Sequence, residues 1–64
     1  MATDEQIIKI IRDMTAPGYP LGLHTLKAAV LTKDRGRVEP IVGGMVRYGE
    51  LEETKKHRYI KKEH

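Results

Sequence analysis

The sequence predicts an α+β domain in which three helices are followed by a C-terminal β-hairpin. Apolar residues recur at helical spacing in three separate stretches: Ile7 to Met14, Leu23 to Val30, and Val38 to Met45. Pro17-Gly18 and Gly49 fall where helices should stop. Beyond Gly49 the helical period gives way to two short strand-like runs around a polar turn. With 64 residues, the chain predicts one domain, 1–64, near the lower size limit for independent folding.

The first helix is predicted over about residues 4–14. Thr3 is suited to cap it, with Gln6 three residues on as the second half of a capping box. Asp4 and Glu5 fall in the first turn, where the helix dipole favours negative charge. Ile7, Ile10, Ile11 and Met14 then recur at i, i+3, i+4 and i+7, with Ile8 beside them and Lys9, Arg12 and Asp13 on the outer face.

Ala16-Pro17-Gly18-Tyr19-Pro20 breaks the helix, because each proline pushes its predecessor into extended geometry. Tyr19 to Leu21 is expected to be a short extended segment, with Gly22 as a hinge. Leu23, Leu26, Ala29 and Val30 form the second stripe, over about residues 23–31, with His24 or Thr25 as its cap. Thr32 to Arg37 reads as a short polar connection carrying three cations and one acid. Thr32 and Asp34 are candidate caps for the third helix.

The third helix is expected from Val38 to Tyr48. Val38, Ile41, Val42 and Met45 repeat the helical spacing, Pro40 is tolerated in the first turn, and Gly49 suits a left-handed stop. A competing reading makes Gly43-Gly44 a hairpin turn between strands at 37–42 and 45–52. That alternative leaves Pro40 inside a strand, where it cannot donate to a ladder. In the helical reading, Glu50 to Glu53 and Arg58 to Lys61 become the strands of a hairpin with a basic tip at Thr54 to His57, and Glu63 and His64 fray.

Charge is distributed unevenly. In residues 1–32, Lys9, Arg12 and Lys27 balance Asp4, Glu5 and Asp13, so the whole net charge of +3 lies in residues 33–64. Lys55, Lys56, Arg58, Lys61 and Lys62 gather near the C-terminus, and a one-sided basic segment suits a polyanion.

The run V38-x-x-I41-V42-x-x-M45-V46-x-Y48-G49-E50-L51, followed by R58-Y59-I60, resembles the winged helix-turn-helix superfamily over nearly the whole chain. The resemblance implies a third helix, its terminating glycine, a first wing strand and an aromatic return strand. It also implies binding to double-stranded DNA by a small transcriptional regulator or an accessory factor of a virus or plasmid-like element. Under that resemblance Arg37 and Arg47 on the third helix meet base edges or phosphates. Lys33 and Arg35 meet the backbone on one side, and Lys55, Lys56 and Arg58 on the wing meet it on the other. A homodimer would supply two half-sites. Two features depart from the superfamily's pattern: Pro40, Gly43 and Gly44 stand where polar groove-facing side chains are usual, and Glu39, Glu50, Glu52 and Glu53 lie near the expected phosphates. The alternative is a winged-helix interaction module that docks on a transcription or replication factor.

An enzyme is not expected. The sequence contains neither Ser nor Cys, and His24, His57 and His64 show no metal-ligand spacing. Gly43-Gly44 is not followed by the Gly-Lys-Ser/Thr of a phosphate loop. No cofactor, metal or small-molecule substrate is implied. No apolar run approaches the roughly 18 residues needed to span a bilayer, and M-A-T-D-E-Q lacks a signal-peptide pattern, so a cytoplasmic protein is expected.

Overall fold

A computed structural model describes residues 2–62; the expected fraying of Glu63 and His64 lies outside the described residues. The elements in order are α1 (Asp4–Met14), β1 (Leu21–Gly22), α2 (Leu23–Ala28), a 3-10 segment (Thr32–Arg37), α3 (Val38–Arg47), β2 (Leu51–Glu53) and β3 (Arg58–Lys61). The three strands form one antiparallel sheet in the order β1-β3-β2. The fold is therefore α+β, with three helices packed against a small sheet.

Helix α1 begins at the predicted capping box. The Thr3 hydroxyl accepts from the Gln6 N–H at 3.2 Å, and the Gln6 side chain accepts from the Thr3 N–H at 2.8 Å. Ile7 and Ile11 are fully buried. They join Leu26 and Val30 from the α2 region, Val38, Val42 and Met45 from α3, and Leu51 from β2 in the core. Eight residues is a thin core, which follows from a chain with no Phe or Trp.

Pro17 and Gly18 form the tight turn that follows α1. Tyr19 donates back to the Ala16 carbonyl at 3.3 Å, and Gly18 takes φ +78°, the left-handed value this kind of turn requires. The strand expected at Tyr19 to Leu21 begins two residues later, at Leu21. Pro20 has no N–H to donate, so the ladder starts only after it; Tyr19 makes an isolated bridge to Ala16 instead.

Helix α2 is shorter than its apolar stripe suggests. It stops at Ala28, where Ala29 and Val30 donate to the carbonyls of Leu26 and Lys27 in a tightened last turn. Val30 is buried from beyond the helix end. The N-cap is Gly22, and no side chain of His24 or Thr25 caps the helix. The polar connection is itself structured, a six-residue 3-10 segment. Its Asp34 is buried, 1% exposed, and does not cap α3.

Residues 38–47 are helical straight through Gly43-Gly44, so the hairpin alternative is overturned. Tyr48 and Gly49 end the helix: Tyr48 donates to the Gly44 carbonyl at 2.9 Å, Glu50 donates to the Met45 carbonyl at 2.9 Å, and Gly49 sits at φ +82°. The β2–β3 hairpin follows, with Glu53 opposite Tyr59 and Leu51 opposite Lys61. Among the described residues, no helix is long and apolar enough to cross a membrane.

Candidate nucleic-acid interface

Sheet topology decides which cations can act together. Both β1 and β2 run antiparallel to β3, so they run in the same direction. The hairpin tip leaves the end of β2, and α2 starts at the end of β1. The first turn of α2 and the basic tip Lys55, Lys56, His57 and Arg58 therefore share one end of the sheet. The register confirms it: Gly22, the residue that precedes α2, lies opposite Arg58.

The tip is held by backbone geometry. The Thr54 N–H donates to the Arg58 carbonyl at 2.7 Å, and the Thr54 hydroxyl accepts from the N–H groups of Lys56 and Arg58 at 3.3 and 3.2 Å. His57 takes φ +58°, and its Nδ1 lies 2.9 Å from the Glu53 carboxylate. That contact turns Glu53 towards His57. Lys55, Lys56 and Arg58 are exposed and have no carboxylate partner among the described residues.

A second basic surface lies along α2. His24, Lys27, Ala28 and Arg35 line a shallow cleft of about 200 Å³. Arg35 reaches it because the chain folds back after α2 as the 3-10 segment. Its Nε donates to the Lys27 carbonyl at 3.2 Å, which fixes the guanidinium on the last turn of α2. A guanidinium held in this way loses less entropy on meeting a phosphate. Lys33 is exposed on the same 3-10 segment. Lys27 and His24 were not singled out as contacts from sequence. Their only signal was a spacing of three residues on a short helix, and the partner cation comes from eight residues further on.

The two arginines assigned to α3 have different surroundings. Arg47, in the last turn, is exposed and has no carboxylate partner among the described residues. Arg37 is engaged within the fold: its guanidinium donates to the Ala2 carbonyl, pairs with Asp4, and lies 3.4 Å from buried Asp34. Pro40 and Gly44 also lie towards α1, on a cleft with Ile8, Ile41, Met45 and Tyr48. The outer face expected to present Arg37, Pro40, Gly44 and Arg47 together is thus divided, and Glu39 and Arg47 are the exposed charged side chains of α3.

Acidic charge marks the space between α3 and the sheet. The Tyr59 ring packs on the core, and burial pushes its phenol above the usual value, helped by the charges of Glu53 and Glu39. Glu39 from the first turn of α3 and Glu53 from β2 thus act on the same hydroxyl. On the far side of the molecule, Arg12 makes a bidentate pair with Glu50, at 2.7 and 2.9 Å, and Lys61 donates to the Arg12 carbonyl at 3.2 Å. The hydrogen bonds from Arg12 hold the Glu50 carboxyl below its ordinary range. Those cations are already committed. Among the described residues no group of three or more His, Asp or Glu side chains is placed to hold a metal ion.

No protein-family model, characterised protein or solved structure matches the chain.

Proposed function

We propose that the chain is a small winged helix-turn-helix protein that binds double-stranded DNA, as a transcriptional regulator or an accessory factor of that kind. The element order and the sheet order β1-β3-β2 support the fold reading, with β2 and β3 as the wing. The observation that carries the function is two sets of unpartnered cations: Lys55, Lys56 and Arg58 on the wing at one end of the sheet, and Lys27, Lys33 and Arg35 along α2 and the 3-10 segment. These side chains suit a row of phosphates. Arg47 is the cation that α3 adds, while Arg37 serves the fold. Contacts of this composition grip the DNA backbone and read few bases, so binding depends more on salt than on sequence.

The test is fluorescence anisotropy with a labelled duplex of about 20 base pairs, in which affinity falls on the order of tenfold or more between about 50 and 200 mM salt. The double reversal Lys55→Glu/Lys56→Glu weakens binding by at least about tenfold and flattens the salt slope by about 2. Lys27→Glu weakens it in the same way. Lys9→Glu, on the outer face of α1 beside Asp13, leaves it unchanged. Absence of binding at low salt, or reversals without effect, overturns the proposal.

A further inference from the structure

The face opposite in character to the basic end is the cleft between α1 and α3, about 430 Å³, floored by Ile8, Pro40, Ile41, Gly44 and Met45. One end is closed by the Asp4–Arg37 ion pair. At the other end stands Tyr48, 92% exposed, the most exposed large hydrophobic side chain of the described residues. We infer that this cleft is the interface of a homodimer, in which Tyr48 of each copy seats in the cleft of the other.

Three observations select a second copy of the chain as the occupant. The first is self-complementarity. Arg37 and Tyr48 lie at opposite ends of α3, separated along its axis by about 16 Å at 1.5 Å per residue. A two-fold axis crossing α3 between Ile41 and Gly44 exchanges those ends. It lays the partner's Tyr48 on the cleft's polar end, with the ring against Ile8 and Pro40. The hydroxyl then comes within reach of the Asp4 carboxylate and the ring face within reach of Arg37. An apolar ring with a polar tip matches an apolar floor closed by an ion pair. One patch thus contains both the protrusion and the recess, as a two-fold interface requires.

The second observation is charge. The molecule carries +3, and of its unpartnered cations Arg47 alone belongs to α3; those of the wing, α2 and the 3-10 segment lie on other elements. The two charges at the cleft neutralise each other. Two positively charged copies can meet here with Arg47 as the one unpartnered cation that each α3 brings.

The third is Gly44. A glycine inside a helix costs about 1 kcal/mol relative to Ala. Nothing within the chain requires it there: its φ is not positive, and a Cβ added to it would meet no atom within 4 Å. Close approach of a second α3 across the axis gives the missing side chain a purpose.

This inference stands whether or not the chain binds DNA. Sedimentation equilibrium on the full chain, from about 10 µM to about 1 mM as befits a small interface, tests it. The weight-average mass should rise from 7.3 kDa towards twice that value. Gly44→Arg and Tyr48→Asp each hold the mass at the monomer value, while circular dichroism shows the same helix content. The wing reversal Lys55→Glu/Lys56→Glu leaves dimerisation unchanged. A wild-type chain that stays monomeric throughout the range, or a dimer that survives both cleft variants, overturns the inference.

Discussion

The two ends of this molecule treat the same residue type in opposite ways. Around α1 and the start of α3, arginines complete the fold: Arg12 clasps Glu50, and Arg37 joins Asp4, Asp34 and the Ala2 carbonyl. Around α2 and the β2–β3 hairpin, cations of equal charge point outward with no carboxylate to meet them among the described residues. Nothing in an arginine's identity separates the two cases. Partners from distant parts of the sequence do. Arg12 and Glu50 lie 38 residues apart, and Arg37 and Asp4 lie 33 apart. Charge counting along a sequence therefore overstates the number of free cations, and the structure finds Arg37 already paired within the fold.

The strongest way to break this division is Arg37→Ala. If the side chain is structural, its loss leaves the buried Asp34 carboxylate without its cation and costs about 1–3 kcal/mol of stability. Urea denaturation measures that loss, and anisotropy with duplex DNA under native conditions should show affinity unchanged. The opposite outcome, full stability with weakened binding, would move Arg37 back to the DNA-contacting group.

Much of the fold was legible because local rules and tertiary packing agree. The isoleucine stripe, the Thr3–Gln6 box and the Gly49 stop each depend on residues within a turn or two. The stretch 38–48 was ambiguous because each reading carried one local fault, and packing of Val38, Val42 and Met45 into the core decided it. The 3-10 segment was not legible. It has no apolar period, and what organises it is the burial of Asp34 against the start of the chain, a contact across 32 residues. The α2 cleft was missed for the same reason, since it exists only once the 3-10 segment brings Arg35 back to Lys27. The wing cations could be read directly, because exposure on a hairpin tip needs no partner.

The glycines of α3 sharpen the comparison at a smaller scale. Gly49 adopts a left-handed conformation, so Gly49→Ala should cost about 1–2 kcal/mol. Gly43 is exposed, helical and without neighbours near a prospective Cβ. Gly43→Ala should therefore stabilise the chain, by about 0.5–1 kcal/mol. Chemical denaturation of the two variants side by side should move the midpoint in opposite directions. A loss at Gly43 would mean that the helix needs glycine there for a reason within the monomer, which would weaken the case for reading Gly44 as an interface residue.

The smallest effect is expected at Glu50, where the two ends should differ in what they respond to. Glu50 is held below its ordinary value of 4.5, first by the Arg12 hydrogen bonds. A carboxyl whose pKa is lower folded than unfolded contributes stability above its unfolded value and loses it as pH falls through the folded one. The wild type should therefore exceed Glu50→Gln in stability by a constant margin above about pH 5, and the margin should close below the ordinary range. Both partners are partly open to water, so screening keeps the margin small and added salt shrinks it further. Thermal melts of the pair from acid to neutral pH read this directly. A margin that persists at low pH would show that Glu50 acts through packing and not through its charge. Neutralising the wing, Lys55→Gln/Lys56→Gln, should show no such acid dependence of stability, because Lys55 and Lys56 have no carboxylate partner among the described residues to lose on protonation.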